Sequence, residues 1–335
     1  MLEPGQNQPV MIIQPMPISD PPSQQARAEP GAGLNGGCAL PHLGVIRVAG
    51  ADAASFLQGQ LTQDFVLLKP EQARLAAFCN PKGRMLASFV GFRHASGDIV
   101  LVCSRDILPA TLKRLSMFVM RAKARLTDAT AEFSLHGLVG DAIENKAINP
   151  QQNWGRAQFD DADWITLPSA DGVPRVLRVG TANDPKPLPQ NVSEADWLWA
   201  EVRGGVARIT QPVVDAFVPQ MLNYESVDGV NFKKGCYPGQ EVVARSQFRG
   251  AIKRRAFVAH VEGPADAGAE VFTADQPDQP CGLIAQAAPA PGGGTAVIVV
   301  LQLAALAPAQ PLVVGTPDGA ALSDVHMPYQ LLDDI

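Results

Sequence analysis

Short runs of hydrophobic residues with strand-like spacing fill the first ordered part of the chain, and turn-forming residues separate them. Two of these runs, ARLAAFC (73–79) and RMLASFVGFR (84–93), predict a hairpin because the turn sequence NPKG (80–83) joins them. Further strands are predicted at GVIRVAG (44–50) and, after the turn HASGD, at IVLVC (99–103). Antiparallel strands that follow one another in this way are typical of an α+β protein rather than of a doubly wound parallel sheet.

Helical spacing occurs in two segments of the same region. ADAASFLQGQL (51–61) predicts a short helix with Asp52 as its N-cap, and SRDILPATLKRLSMFVM (104–120) predicts a longer amphipathic helix. Before them, residues 1–35 are rich in proline, glutamine and glycine and bury too little apolar surface to fold. We therefore expect a disordered tail there and order from about Leu43 onwards.

The rest of the chain contains shorter strand candidates and one well-delimited helix. Ser193 is positioned to cap a helix over EADWLWAEVR (194–203), which Gly204 and Gly205 end. Before this helix, strands are predicted at FSLHGLVG (133–140), DWITL (163–167) and RVLRVG (175–180). After Arg255, short β-like runs alternate with Pro/Gly turns, and this pattern predicts a small C-terminal β-barrel.

Composition and charge narrow the class of protein. The 335 residues suit two or three domains, and the formal net charge of −6 disfavours a surface that coats nucleic acid. There is no run of 18 apolar residues and no secretory signal pattern, so neither a membrane protein nor a secreted one is expected. Five widely spaced cysteines without a CxxC pair are typical of reduced thiols in a cytoplasmic protein: Cys38, Cys79, Cys103, Cys236 and Cys281.

Cys236 stands apart from the other four, which are interpreted as buried structural cysteines. It follows Lys233 and Lys234 and precedes PGQEVVARSQF, a segment that predicts a helix with Glu241 and Arg245 one turn apart. A helix start and two lysines both favour a thiolate. The alternative is a loop cysteine with incidental lysines. None of the five histidines is close in sequence, so the pattern does not favour a Cys–His protease.

The motif KGCYPGQEVVAR resembles the signature K-G-C-[FY]-x-G-Q-E, followed by Arg, of the YgfZ family, which is related to the glycine cleavage T-protein. The motif residues besides Cys236 are Lys234, Gly235, Tyr237, Gly239, Gln240, Glu241 and Arg245. Supporting segments occur in the family's order at LQGQLTQD (57–64), NPKGRM (80–85), FVPQMLN (217–223) and RGAIKRR (249–255). The resemblance covers about residues 43–330.

The resemblance implies three domains in a ring around a central channel that the cysteine motif faces and that binds folate. We expect an N-terminal α+β domain over 36–130 with part of 190–250, a second α+β domain over 131–250, and a barrel over 251–335. The implied function is assembly or repair of [4Fe-4S] enzymes, including those that modify tRNA. The expected partners are tetrahydrofolate or a derivative and iron–sulfur enzymes or assembly proteins. We expect a monomer with no permanently bound metal, no membrane contact and no direct tRNA binding, although Cys236 could ligate a cluster transiently.

Departures from the T-protein pattern bear on activity. Alignment on Asn80 and Gly83 puts Ala87 and Ser88 where the T-protein has an acidic pair, and Cys236 where it has Asp. Its pterin-binding glutamate corresponds to Arg203 by counting from Gly205, or to Glu201 if the loop is shifted. The residues predicted to contact folate are Trp197, Arg203, Gln220, Asn223 and Arg254.

Three hypotheses follow from these residues. The first is a folate-binding accessory factor that uses Cys236 and is not a conventional enzyme. The second is a folate-dependent aminomethyl or one-carbon transferase, which would need a proton acceptor in place of Ala87 and Ser88. The third is a structural adaptor whose thiol is incidental.

Overall fold

The structure is a computed structural model that describes residues 34–143, 148–149, 151–184, 188–248, 252–306, 310–316 and 318–332. The predicted tail lies outside these residues except for its last two positions. Order begins earlier than Leu43, because a strand at Gly36–Ala39 pairs with Val139–His136.

The elements follow one another as hairpins and short helices. The helices are α1 (Ala53–Gln58), α2 (Leu108–Ser116), α3 (Glu194–Arg203) and α4 (Gln240–Phe248). The strands are β1 (Gly36–Ala39), β2 (Leu43–Ala49), β3 (Ala73–Cys79), β4 (Met85–Arg93), β5 (Ile99–Ser104), β6 (Arg125–Asp128), β7 (Phe133–Val139), β8 (Arg156–Phe159), β9 (Ala162–Ala170), β10 (Val173–Thr181), β11 (Arg254–Val261), β12 (Glu270–Thr273), β13 (Gly282–Pro289), β14 (Thr295–Gln302), β15 (Leu312–Val314) and β16 (Ala320–His326). The α+β class is confirmed.

The first sheet has the strand order β3-β4-β5-β2-β6 and is antiparallel. The predicted β3–β4 hairpin is confirmed, with the turn at NPKG. The capping prediction for Asp52 is wrong. Its side chain makes no cap to α1 and instead accepts a hydrogen bond from the backbone N–H of Lys123 at 2.7 Å. Helix α2 ends at Ser116, four residues before the predicted end, and Met117 and Met120 beyond it are exposed.

The second sheet has the strand order β1-β7-β10-β9-β8 and packs face to face on the first. The contact is apolar: Val45 and Val102 of the first sheet share one buried cluster with Leu135, Ile165 and Leu177 of the second. Ser193 caps α3 as predicted, because its Oγ accepts a hydrogen bond from the N–H of Asp196 at 3.1 Å. This helix covers one end of the space between the two sheets.

The C-terminal strands close into a barrel in the order β11-β14-β13-β12-β15-β16, with β11 also paired to β16. This confirms the predicted barrel. Its strands β13 and β14 pack against α3, which also packs on β1 and β9 of the second sheet. Among the described helices none is long and apolar enough to cross a membrane.

Candidate functional site

Cys236 is the exposed cysteine of the chain, and the other four are buried. Burial raises the pKa of Cys38 to about 11 and those of Cys79 and Cys103 to about 12. Burial also raises the pKa of Cys281. The four buried thiols are therefore neutral near pH 7 and shielded from reagents, and Cys236 is the thiol available for chemistry.

Lys234 anchors the motif from inside. Its Nζ donates hydrogen bonds to the carbonyl oxygens of Gln58 and Leu61, the latter at 2.7 Å, and lies 4.7 Å from the ring centre of Tyr237. Burial lowers the pKa of Lys234 to about 8, although the charges of Asp64 and Cys236 oppose the shift. The LQGQLTQD segment thus binds the ammonium group of Lys234. Its neighbour Lys233 is exposed.

Gly239 lies against the NPKG turn so closely that only a glycine fits. A Cβ at this position would come 2.4 Å from the carbonyl oxygen of Asn80 and 2.7 Å from the backbone of Gly83. Its φ of +80° is also one that other residues adopt with strain. The turn is itself tied down, because Asn80 Nδ2 donates to Asp215 Oδ1 at 2.6 Å. The cysteine motif and the β3–β4 turn therefore form one interlocked unit.

Replacing this glycine should disrupt the motif. We expect Gly239→Ala to cost at least about 1–3 kcal/mol through the backbone conformation alone, with the clash against Asn80 in addition. The matched control is Gly235→Ala, because a Cβ there would meet nothing within 4 Å. Urea unfolding of both variants measures the difference. Equal stability of the two would show that Gly239 is not confined by the turn.

Helix α4 starts at Gln240 and is held by the FVPQMLN segment. Gln220 Nε2 donates to the carbonyl oxygen of Val243 in this helix at 2.7 Å, and both groups are buried. The predicted pair of Glu241 and Arg245 is present at 2.8 Å, but their side chains are 86% and 66% exposed. Such a pair contributes about 0.3–0.5 kcal/mol, so Arg245 is a minor support of the motif.

A narrow inner cavity of about 80 Å³ lies between the two sheets under α3. Its apolar wall comes from both sheets, and its polar side chains come from β4, β10, α3 and the loop after α3. The lining includes Leu75, Phe89, Val90, Val102, Leu167 and Leu177 as apolar residues, with Ser88, Arg175, Trp197, Glu201, Arg208 and Tyr224. A wider outer cavity of about 510 Å³ adjoins it at Arg208 and is lined by His42, Arg105 and the barrel residue Gln286, among others.

Glu201 is the carboxylate of the inner cavity. It accepts hydrogen bonds from Trp197 Nε1 at 3.1 Å, Arg208 Nη2 at 2.8 Å and Gln286 Nε2 at 3.2 Å. Burial by itself would raise its pKa, but Arg208, His42 and Arg175 outweigh burial and hold it well below the ordinary value. Glu201 is therefore ionised at neutral pH and can accept hydrogen bonds from a ligand, but it is a poor base.

Of the five residues predicted to contact folate, only Trp197 lines this cavity. Arg203 lies outside it and forms a two-bond ion pair with Asp171, both bonds at 2.7 Å. Glu201 lies two residues earlier on α3, and its side chain does line the cavity. Because successive residues of a helix are rotated by about 100°, residues 201 and 203 point in different directions.

The other three predicted contacts do not line either cavity, and two of them hydrogen-bond backbone groups of the scaffold. Asn223 is fully buried, and its Nδ2 donates to the carbonyl oxygen of Ala256 in β11 at 2.9 Å. Gln220 holds α4, and Arg254 begins β11 opposite Gln302, away from both cavities. Neither cavity includes Cys236 in its lining, so the expected position of the thiol on the channel wall is not found among the described cavities.

Ala87 and Ser88 provide no carboxylate to the cavity. Ala87 is buried in β4, and Ser88 Oγ, which lines the inner cavity, accepts a hydrogen bond from the N–H of Ile209 at 2.9 Å. Sequence reasoning missed Arg175 and Arg208. A signal was present for Arg175, because an arginine inside the apolar strand RVLRVG indicates either a buried ion pair or a polar ligand.

The fold matches that of a glycine cleavage system aminomethyltransferase T from Bartonella henselae, with a TM-score of 0.64 and 15% sequence identity over 89% of this chain and 87% of that one. No family model matches the sequence. A "tRNA-modifying protein YgfZ" from Edwardsiella ictaluri is 30% identical over 229 residues, which are 63% of this chain and 67% of the relative. A protein of Haemophilus influenzae called uncharacterized is 31% identical over 230 residues, 68% of this chain and 75% of the relative.

The fold is thus that of the aminomethyltransferase T-proteins, with its barrel and two packed sheets. Within this class, the chain belongs to the YgfZ family. The matches span about two thirds of the length of the named relatives.

Proposed function

We propose that the chain is a folate-binding accessory factor for the assembly or repair of [4Fe-4S] enzymes, including those that modify tRNA, and that Cys236 is its functional thiol. The observation that carries the proposal is the setting of Cys236. It is exposed, while Lys234 and Gly239 on either side of it are fixed to the LQGQLTQD and NPKG segments. A thiol that only filled space would not need its neighbours to be fixed by two distant segments of the chain.

The residues of the two cavities fit a folate. The apolar walls of the inner cavity suit a flat ring, and Glu201 offers an ionised carboxylate to its N–H groups. The exposed guanidinium of Arg105 in the outer cavity would meet a tail carboxylate. Because the inner cavity is only about 80 Å³, the ring would enter with movement of wall side chains.

The alternative, a one-carbon transferase of the T-protein type, lacks a suitable base. Ala87 and Ser88 replace the acidic pair, and the carboxylate that does line the cavity, Glu201, has a pKa held well below its ordinary value by Arg208 and other cations against the effect of burial. General bases work best when their pKa lies near the operating pH. We therefore propose binding of folate without turnover.

An iron–sulfur cluster would be cargo and not a resident group of this protein. Among the described residues no group of three or more His, Cys, Asp or Glu side chains lies together as a metal site. Cys236 alone could supply one ligand, and the rest would come from the partner enzyme or assembly protein. The partner in this proposal is that protein, and tRNA is affected through the enzyme that modifies it.

The proposal predicts that Cys236→Ser abolishes rescue of a deletion strain. The measured quantities are the activity of [4Fe-4S] enzymes and the level of tRNA methylthiolation in cells that express the variant. The control is Cys281→Ser, which removes a buried barrel thiol and should rescue like the wild type when immunoblots show equal protein levels. Full rescue by Cys236→Ser would remove the thiol from the mechanism.

A further inference from the structure

Arg175 is a buried arginine with one unused donor in the wall of the inner cavity. It is only 4% exposed, and its Nη1 is buried without a hydrogen-bond acceptor. Its Nε donates to the carbonyl oxygen of Pro168 at 3.0 Å, and its guanidinium lies 5.3 Å from the ring centre of Trp197. Leaving a buried donor unpaired costs free energy, so an acceptor is expected when the site is in use.

The backbone around Arg175 is shaped to place this side chain. Val173 pairs with Ala170 and Arg175 pairs with Leu167, so β9 carries one extra residue at a bulge. The bulge includes Pro168, whose carbonyl oxygen holds Nε. On the other side, Gly204 makes room, since a Cβ there would lie 2.6 Å from Arg175 Nη2. Bulges of this kind commonly re-aim a side chain beside a functional site.

Arg175 and Glu201 give the same cavity a donor and an acceptor. The two charges are close enough to affect each other: burial lowers the pKa of Arg175 to about 10, and Glu201 opposes this shift. Arg175 therefore stays protonated at neutral pH. A flat ring with an N–H group next to a carbonyl group presents the complementary pair, with the N–H toward Glu201 and the oxygen toward Arg175.

We propose that Arg175 is a specificity-determining residue whose Nη1 donates to a ring carbonyl oxygen, so that the cavity selects a 4-oxo pteridine over its 4-amino counterpart. This inference rests on the proposed folate site but goes beyond it, because it assigns the ring edge that the chain recognises. An amino group at that ring position is a hydrogen-bond donor and would face the N–H donors of Arg175. Nη1 would then have no acceptor.

The test compares folic acid with aminopterin, which replaces the ring oxygen by an amino group, in calorimetric titrations of the full-length protein. We expect the wild type to bind folic acid about 10- to 100-fold more tightly, the usual effect of one hydrogen bond to a charged group. Arg175→Met keeps an unbranched apolar side chain over Trp197 and should reduce this preference by weakening the binding of folic acid. Equal affinities in the wild type, or an unchanged preference in Arg175→Met, would overturn the inference.

A second variant guards against misfolding of the first. Gly204→Ala leaves the donor in place but forces Arg175 Nη2 to move, and its backbone φ is compatible with alanine. Like Arg175→Met, it should reduce the preference for folic acid over aminopterin. If the wild type binds neither compound, the folate site itself is refuted and the inference with it. If it binds both equally, the folate site stands and only the role of Arg175 is refuted.

Discussion

Iodoacetamide in slight excess over the native protein should label Cys236 first. The raised pKa of Cys38, about 11 against an ordinary 9.0, lowers its thiolate fraction by about 100-fold at neutral pH, and burial restricts access further. Cys79 and Cys103 have a pKa of about 12 and should react more slowly still. Mass spectrometry of peptides after timed quenching measures the order. Faster labelling of any buried cysteine would contradict the assignment.

The two lysines before Cys236 provide a test variant and a matched control for the reactivity of its thiol. Lys234 is a buried residue of the motif whose pKa is affected by Cys236, whereas Lys233 is exposed. Lys234→Met should slow the labelling more than Lys233→Gln. Because burial lowers the pKa of Lys234 to about 8, its positive charge is present below that pH and is lost above it. The difference between wild type and Lys234→Met should therefore shrink as the pH rises through 8.

Glu201→Gln should weaken folate binding strongly and destabilise the fold. The change leaves the largely buried Arg208, whose side chain is 18% exposed, without its counter-charge, and loss of one partner of a fully buried pair, an upper limit here, costs about 3–5 kcal/mol. Folate affinity should fall by about 10- to 100-fold or more, since the ionised acceptor for the ring is gone. Chemical unfolding and calorimetric titration measure the two effects. Binding equal to that of the wild type would place the ring elsewhere.

The pH dependence gives this prediction a second readout. Burial raises the pKa of Glu201, but Arg208 and His42 outweigh burial, so the folded-state pKa lies below the ordinary 4.5. The stabilisation of the folded state by ionised Glu201 is therefore complete above about pH 4.5. It is lost progressively as the pH falls below that value. The stability difference between wild type and Glu201→Gln should narrow in acid. Glu194→Gln is the control, because its exposed carboxylate also contacts His42, at 3.0 Å. It should change stability by less than about 0.5 kcal/mol.

Much of the fold could be predicted from local patterns, and the failures have physical reasons. Strands β3 and β4 are apolar runs of strand length joined by a strong turn, so their hairpin is visible in the sequence. β1 and β6 are only four residues long, and β1 has the sequence GGCA. Their extended form comes from pairing with β7 and β2, which lie far away in the chain. Local propensity cannot show such pairing.

The candidate site was predictable in its motif but not in its cavity. The lysines and glycines around Cys236 carry a local signal, whereas the contact of Gly239 with Asn80 depends on tertiary structure. Gln220 and Asn223 are predicted to contact folate, and in the structure their amide groups donate to backbone carbonyl groups inside the scaffold. A buried amide has the same appearance in the sequence whether its partner is a ligand or a carbonyl group of the chain.

The interlock of Gly239 with the NPKG turn also affects the order of events during synthesis. The two partners are about 160 residues apart, and at about 5–20 residues per second the turn leaves the ribosome roughly 8–30 s before the glycine that packs on it. During that interval the NPKG turn lacks the glycine that packs on it. The motif around the thiol consequently reaches its final geometry late, only when distant parts of the chain have come together.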